Sequence, residues 1–135
     1  MITYRRGNLL NIDDVIALYN ASTLGARRPV DDRTRMAAMI ANANLVITAW
    51  QGATIVGIAR SLSDFVYATY LSDLVVRDTH QRCGIGKELI RQTQAAAPQA
   101  RLILLSAPQA TEYYPHIGFE QHTSAWTLAP GEKLR

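Results

Sequence analysis

The sharpest chemical signal in the sequence is Gln81-Arg82-Cys83-Gly84-Ile85-Gly86-Lys87, set between a β-branched run and an amphipathic one. Glycine has no Cβ and lets the backbone approach a ligand. A helix starting there aims free N–H groups and a partial positive charge at an anion. The pattern suits phosphate binding, with Arg82, Lys87 and Arg91 adding cations at the rim. The glycines alone would equally fit a turn that only joins strand to helix. Two familiar phosphate loops fail on spacing. A Walker A loop ending at Gly86-Lys87 needs glycine where Gln81 stands and Ser or Thr where Glu88 stands. A dinucleotide fingerprint from Gly84 and Gly86 needs a third small residue at Leu89 and a βαβ unit, whereas the preceding runs read as antiparallel strands.

Other residues could also do chemistry. Asp73 lies inside an otherwise apolar run, where a carboxylate is costly unless it is paired or functional. Asp64 falls in a polar connection and also fits a solvated turn. Cys83 sits at a helix start, which can lower a thiol pKa, but no neighbouring base points to a nucleophile. His116 and His122 lack metal-ligand spacing. The single cysteine and three histidines supply neither an internal disulfide nor a multi-cysteine zinc framework, so no metal is expected. Arg27 and Arg28 stand with Gly25 and Pro29 in the least regular stretch of the first half. That stretch is a candidate substrate loop, with a merely solvated loop as the competing reading.

The hydrophobic pattern predicts the scaffold for these residues. Ile12, Val15, Ile16 and Tyr19 recur at helical spacing after the N-cap residue Asn11, giving a helix at 12–21. Met36, Met39, Ile40 and Ala43 repeat the pattern, giving a second at 32–42. Strands are expected at 2–6 (β1), 45–50 (β2), 54–62 (β3) and 66–76 (β4), the last three as an antiparallel meander. A helix at 84–97 should stop before Pro98, which lacks a donor and clashes with the preceding turn. A buried strand at 101–106 (β5), a short helix from Pro108 to 116 and a last hairpin at 118–128 (β6–β7) complete the expectation.

Composition limits what such a scaffold can be. At 135 residues and 14.9 kDa, the chain is expected to form one domain spanning 1–135. Apolar types at 48% and charged types at 19% exclude a disordered chain. No apolar run approaches the roughly 20 residues of a membrane span, and the start lacks the long apolar segment of a secretory signal. A cytoplasmic protein with no membrane partner is expected. The net charge of +3 is scattered rather than clustered, so no nucleic-acid partner is expected.

The loop also fits Q/R-x-x-G-x-G/A, and in this the sequence resembles the GNAT superfamily of N-acetyltransferases. The preceding Leu74-Val75-Val76-Arg77 and the later Tyr113-Tyr114-Pro115-His116-Ile117-Gly118-Phe119, of the form F/Y-Y-x-x-x-G-F, extend the resemblance over nearly the whole chain. The stretches Arg60 to Asp64 and Tyr70 to Leu74 are similar to a small bacterial subgroup related to plastid amine acetyltransferases.

The resemblance implies an α/β GNAT fold: a mixed, mostly antiparallel sheet of about seven strands flanked by helices, with β4 and β5 splayed into a cofactor slot. It implies that acetyl-CoA binds there, its pyrophosphate on Gln81, Arg82, Cys83, Gly84, Ile85, Gly86 and Lys87 and its pantetheine arm on the backbone of Leu74, Val75 and Val76. Backbone N–H groups of β4 would polarise the acetyl carbonyl. A primary amine, small or lysine-like, would attack that carbonyl directly, and Tyr114 would protonate the departing thiolate. Asp73, Asp64 or a bound water would take the proton of the amine. For Asp73 a structural hydrogen bond or salt bridge stays open beside that role. The rival function is a non-catalytic acyl-CoA-binding regulatory module. The family and the apolar segment Ala125-Trp126-Thr127-Leu128 admit a homodimer, with a monomer also open.

Overall fold

In the computed structural model, which describes residues 1–135, packing divides the chain into two units, Met1–Leu105 and Ser106–Arg135. The first holds one five-stranded sheet in the order β1-β2-β3-β4-β5. Its strands are β1 (Ile2–Arg6), β2 (Leu45–Gln51), β3 (Thr54–Ser63), β4 (Ala68–Val76) and β5 (Arg101–Ile103). The first three pairings are antiparallel and β4–β5 is parallel, giving the mixed, mostly antiparallel sheet that the resemblance implies. The parallel pairing covers only Ala68↔Arg101 to Tyr70↔Ile103, so from Leu71 onward no strand pairs with the β4 edge opposite β3.

Helices α1 (Ile12–Asn20) and α2 (Arg33–Ala41) start where side-chain oxygens take up otherwise unpaired amides. Asn11 accepts from the Asp14 N–H at 3.1 Å, and Asp32 accepts from the Arg35 N–H at 3.0 Å. A short 3-10 turn, Thr23–Arg27, lies between them. On one face of the sheet, Val15, Leu18, Tyr19, Met36 and Ile40 bury themselves against Val46, Ile55, Ile58 and Val75. Helix α3 (Ile85–Ala96) covers the other face. A Cβ on Gly57 would lie 3.1 Å from Leu89 and 3.2 Å from Ile85, whereas the adjacent Ile58 belongs to the α1–α2 core. Successive strand residues point to opposite faces, so this pair marks the two sides.

Two expectations are corrected. The sheet has five strands rather than about seven: β5 ends at Ile103, and the expected hairpin at 118–128 contains no strand. Every residue from 120 to 135 is exposed, so no buried face is present to fix a strand register there. The expected helix at 108–116 is instead a 3-10 turn, Pro108–Ala110, followed by α4 (Tyr113–His116). In one continuous helix Pro115 would be interior, lacking a donor and clashing with the carbonyl of Thr111. No helix is long and apolar enough to cross a membrane.

Candidate active site

The loop after β4 opens its backbone outward. Gln81, Arg82, Cys83 and Gly84 are exposed. Arg82 and Gly84 both take left-handed conformations, at φ 62° and 79°. Gly84 is the N-cap of α3, and a Cβ built on it would meet nothing within 4 Å. The first α-helical bond runs from the Glu88 N–H to the Gly84 carbonyl, leaving the amides of Ile85, Gly86 and Lys87 without intrahelical partners. The 12-residue α3 therefore presents an uncapped N-terminus framed by backbone with room above it. Gln81 Nε2 donates to the Val76 carbonyl at 3.3 Å and to Asp78 Oδ1 at 3.4 Å, tying the loop to the end of β4. Of the rim cations, Arg91 is paired with Glu88, whereas Arg82 and Lys87 make no ion pair. The Cys83 thiol is exposed and donates only to the Gln81 carbonyl.

Before that loop, where β4 has lost its β5 neighbour, the chain buries a polar cluster. A bulge shapes the strand there: Arg60 pairs with Asp73 and Ser61 with Leu71, leaving Ser72 as the extra residue on β4. Asp73 is 1% exposed, and both of its oxygens are engaged. Oδ2 accepts from Arg60 Nε at 2.6 Å and from the Tyr19 hydroxyl at 2.7 Å. Oδ1 accepts from Arg28 Nε at 2.7 Å and from Ser72 Oγ at 3.3 Å. A carboxylate offers about four lone-pair sites, so none is left for a substrate proton. Burial raises the Asp73 carboxyl, but the bonds and charges of Arg60, Tyr19 and Arg28 outweigh it and hold it below the ordinary carboxylate range. Burial, then the charge of Asp73 and the bond to it, push the Tyr19 phenol well up. Asp73 is thus poorly placed as a base. Asp64 is exposed, and its Oδ1 accepts from the amides of Val66, Tyr67 and Ala68, which lower its carboxyl and make it the closing group of a turn.

Leu74 and Val76 are half-buried and alternate with Asp73 and Val75, which face α1 and α2. Arg28 Nη2 donates to the Ser72 carbonyl at 3.0 Å, fastening the connector between α1 and α2 to β4. Sequence reasoning misses Arg60 and Tyr19 as partners of Asp73. A charge opposite a charge on neighbouring strands is the available signal for Arg60, but the pairing depends on the bulge.

In the second unit Tyr114 is half-buried, with its ring edge-on to Tyr113 at 5.2 Å and to Phe119 at 5.4 Å. The Phe119 N–H bonds the Tyr114 carbonyl at 2.9 Å, closing the turn at Gly118, whose φ is 108°. Burial, then Tyr113, push the Tyr114 phenol up, so it stays protonated at neutral pH.

Residues 22–127 match the family model described as an acetyltransferase (GNAT) domain. No curated protein matches the chain. Among solved structures, a GNAT-family acetyltransferase from Streptococcus pneumoniae superposes with a TM-score of 0.78 at 22% identity, covering 96% of this chain and 99% of that one. An aminoglycoside N-acetyltransferase in complex with CoA gives 0.73 at 16% identity, covering 96% and 94%. An aminoglycoside 6'-N-acetyltransferase from Acinetobacter haemolyticus gives 0.73 at 16% identity, covering 98% and 99%.

Proposed function

Because the chain belongs to the GNAT acetyltransferase family, we propose that it transfers an acetyl group from acetyl-CoA directly to a primary amine, small or lysine-like. The observation that carries this reading is the uncapped N-terminus of α3, with unpaired amides at Ile85, Gly86 and Lys87 below an open Gly84. These residues fit a pyrophosphate: the amides donate, and Arg82 and Lys87 have no competing carboxylate. Gln81 and Cys83 complete the loop, and the backbone of Leu74, Val75 and Val76 lies on the β4 edge that β5 leaves unpaired.

When bound, acetyl-CoA supplies a thioester whose C–S bond breaks as the amine nitrogen forms the new C–N bond. Unpaired N–H groups on β4 stabilise the charge developing on the carbonyl oxygen. Tyr114 gives its proton to the thiolate, a role resting on its motif and on a phenol that keeps its proton at neutral pH. The amine gives its proton to water: both Asp73 oxygens are engaged, and three backbone amides on Oδ1 hold the exposed Asp64 carboxyl below the ordinary carboxylate range, which makes it a weak base. Asp73 acts by holding Arg28 and Arg60 in place. That engagement also favours the second reading, a non-catalytic acyl-CoA-binding module, because Asp73 has no acceptor site left and Asp64 is held low as a base.

Calorimetric titration with acetyl-CoA tests the site. Gly84→Val introduces a β-branched side chain at a left-handed position over the amides, and affinity is expected to fall at least about tenfold. Unchanged affinity in a folded variant removes the loop from the site.

A further inference from the structure

The cluster around Asp73 carries more positive charge than it neutralises. Arg28 and Arg60 share this one carboxylate, and neither forms an ion pair with another. Tyr19 adds no negative charge, because its hydroxyl donates to Asp73 and so retains its proton. The remaining partners are neutral: Ser72 Oγ and the carbonyls of Ser72, Arg27 and Met39. Asp32 caps α2, and neither it nor Asp31 pairs with Arg28. A partly desolvated cation without its own counter-ion is costly, so the surplus favours an anion.

The two arginines are not equivalent hosts. Arg60 has a 9% exposed side chain and a partner on each nitrogen. The Arg28 side chain is 23% exposed, and it too uses one N–H on each nitrogen. A guanidinium carries five N–H groups, so each terminal nitrogen of Arg28 keeps one free. A planar donor of this kind pairs well with carboxylate or phosphate oxygens. Arg27 beside it is exposed and adds a second positive charge. Arg28 is anchored on Ser72 and Asp73, directly before Leu74, where β5 has left the β4 edge.

We propose that Arg28 recognises an anionic group on the acceptor, so that the acceptor is an amine also carrying a carboxylate or a phosphate. This rests on the acetyl-transfer reading above. The charge surplus disfavours polycationic acceptors for the same reason.

The test compares free amino acids with their carboxamides, and phosphoethanolamine with ethanolamine, with spermidine as the polycation, by thiol release from acetyl-CoA. One anionic class is expected to exceed its neutral counterpart at least about tenfold in kcat/KM, and which pair responds separates carboxylate from phosphate. Arg28→Gln should collapse that ratio and Arg28→Lys should retain part of it. A structural role for Arg28 would lower both members of a pair together. Equal rates for anionic and neutral amines in the wild type, or a ratio preserved in Arg28→Gln, overturn the proposal. If Arg28→Gln does not fold, the wild-type and Arg28→Lys ratios decide. Calorimetry of the corresponding N-acetylated products on the CoA-loaded protein separates the two readings. If no amine releases thiol, acetyl transfer fails, and preferential binding of anionic over neutral products still decides the anion site; equal or absent binding overturns it.

Discussion

Replacing Asp73 with Asn should destabilise the protein more than any other single exchange in the cluster. The amide keeps one acceptor oxygen and puts an NH2 where the other stood. It must therefore face either Arg60 Nε and Tyr19 or Arg28 Nε and Ser72 with a donor. It also removes the only charge opposing Arg60, whose side chain is 9% exposed. Removing one partner of a buried pair costs about 3–5 kcal/mol. At roughly 4 °C per kcal/mol for a chain of this size, the melting temperature should fall by roughly 12–20 °C. Tyr19→Phe removes one hydrogen bond to a charged group and leaves both arginines paired, so it should cost less, about 1.5–3 kcal/mol. Urea melts with thermal melts measure both. The Asp73 carboxyl is held low, so its stabilisation is present above its unfolded pKa of about 4 and is lost as pH falls through the lower folded value. The gap between wild type and Asp73→Asn should therefore narrow only below about pH 4. An Asp73→Asn protein within about 1 kcal/mol of wild type at neutral pH would refute the reasoning.

Tyr114→Phe keeps the ring against Tyr113 and Phe119 and removes the proton donor. Turnover under chemistry-limited conditions should fall by roughly 10²–10⁴ while acetyl-CoA affinity is unchanged, as single-turnover kinetics and calorimetry would show. Gly57→Val forces side-chain atoms against the α3 residues Leu89 and Ile85, which a Cβ alone would approach to 3.1 and 3.2 Å, and should cost about 1–3 kcal/mol in a urea melt.

The loop is legible in the sequence because its chemistry is local: Gly84 and Gly86 sit at a helix start, and no distant residue is needed to see it. Asp73 is legible only as a problem, a carboxylate in an apolar strand. Its solution lies in Arg60, Arg28 and Tyr19, 13, 45 and 54 residues away. Finding Arg60 requires the strand register, which the bulge at Ser72 shifts in a way no alternation pattern reveals, and finding Tyr19 and Arg28 requires knowing how α1 and the connector after it pack on β4. The hairpin expected at 118–128 fails for a related reason. Trp126 and Leu128 are both exposed, and apolar residues without a face to bury do not make a strand.

The most direct test mixes the purified protein with acetyl-CoA and a panel of amines, follows free thiol, and identifies acetylated amine by mass spectrometry. Thiol release is expected to depend on the amine and to match the acetylated product mole for mole. Tight acetyl-CoA binding with no amine-dependent release across the panel would contradict acetyl transfer and leave the non-catalytic module in its place.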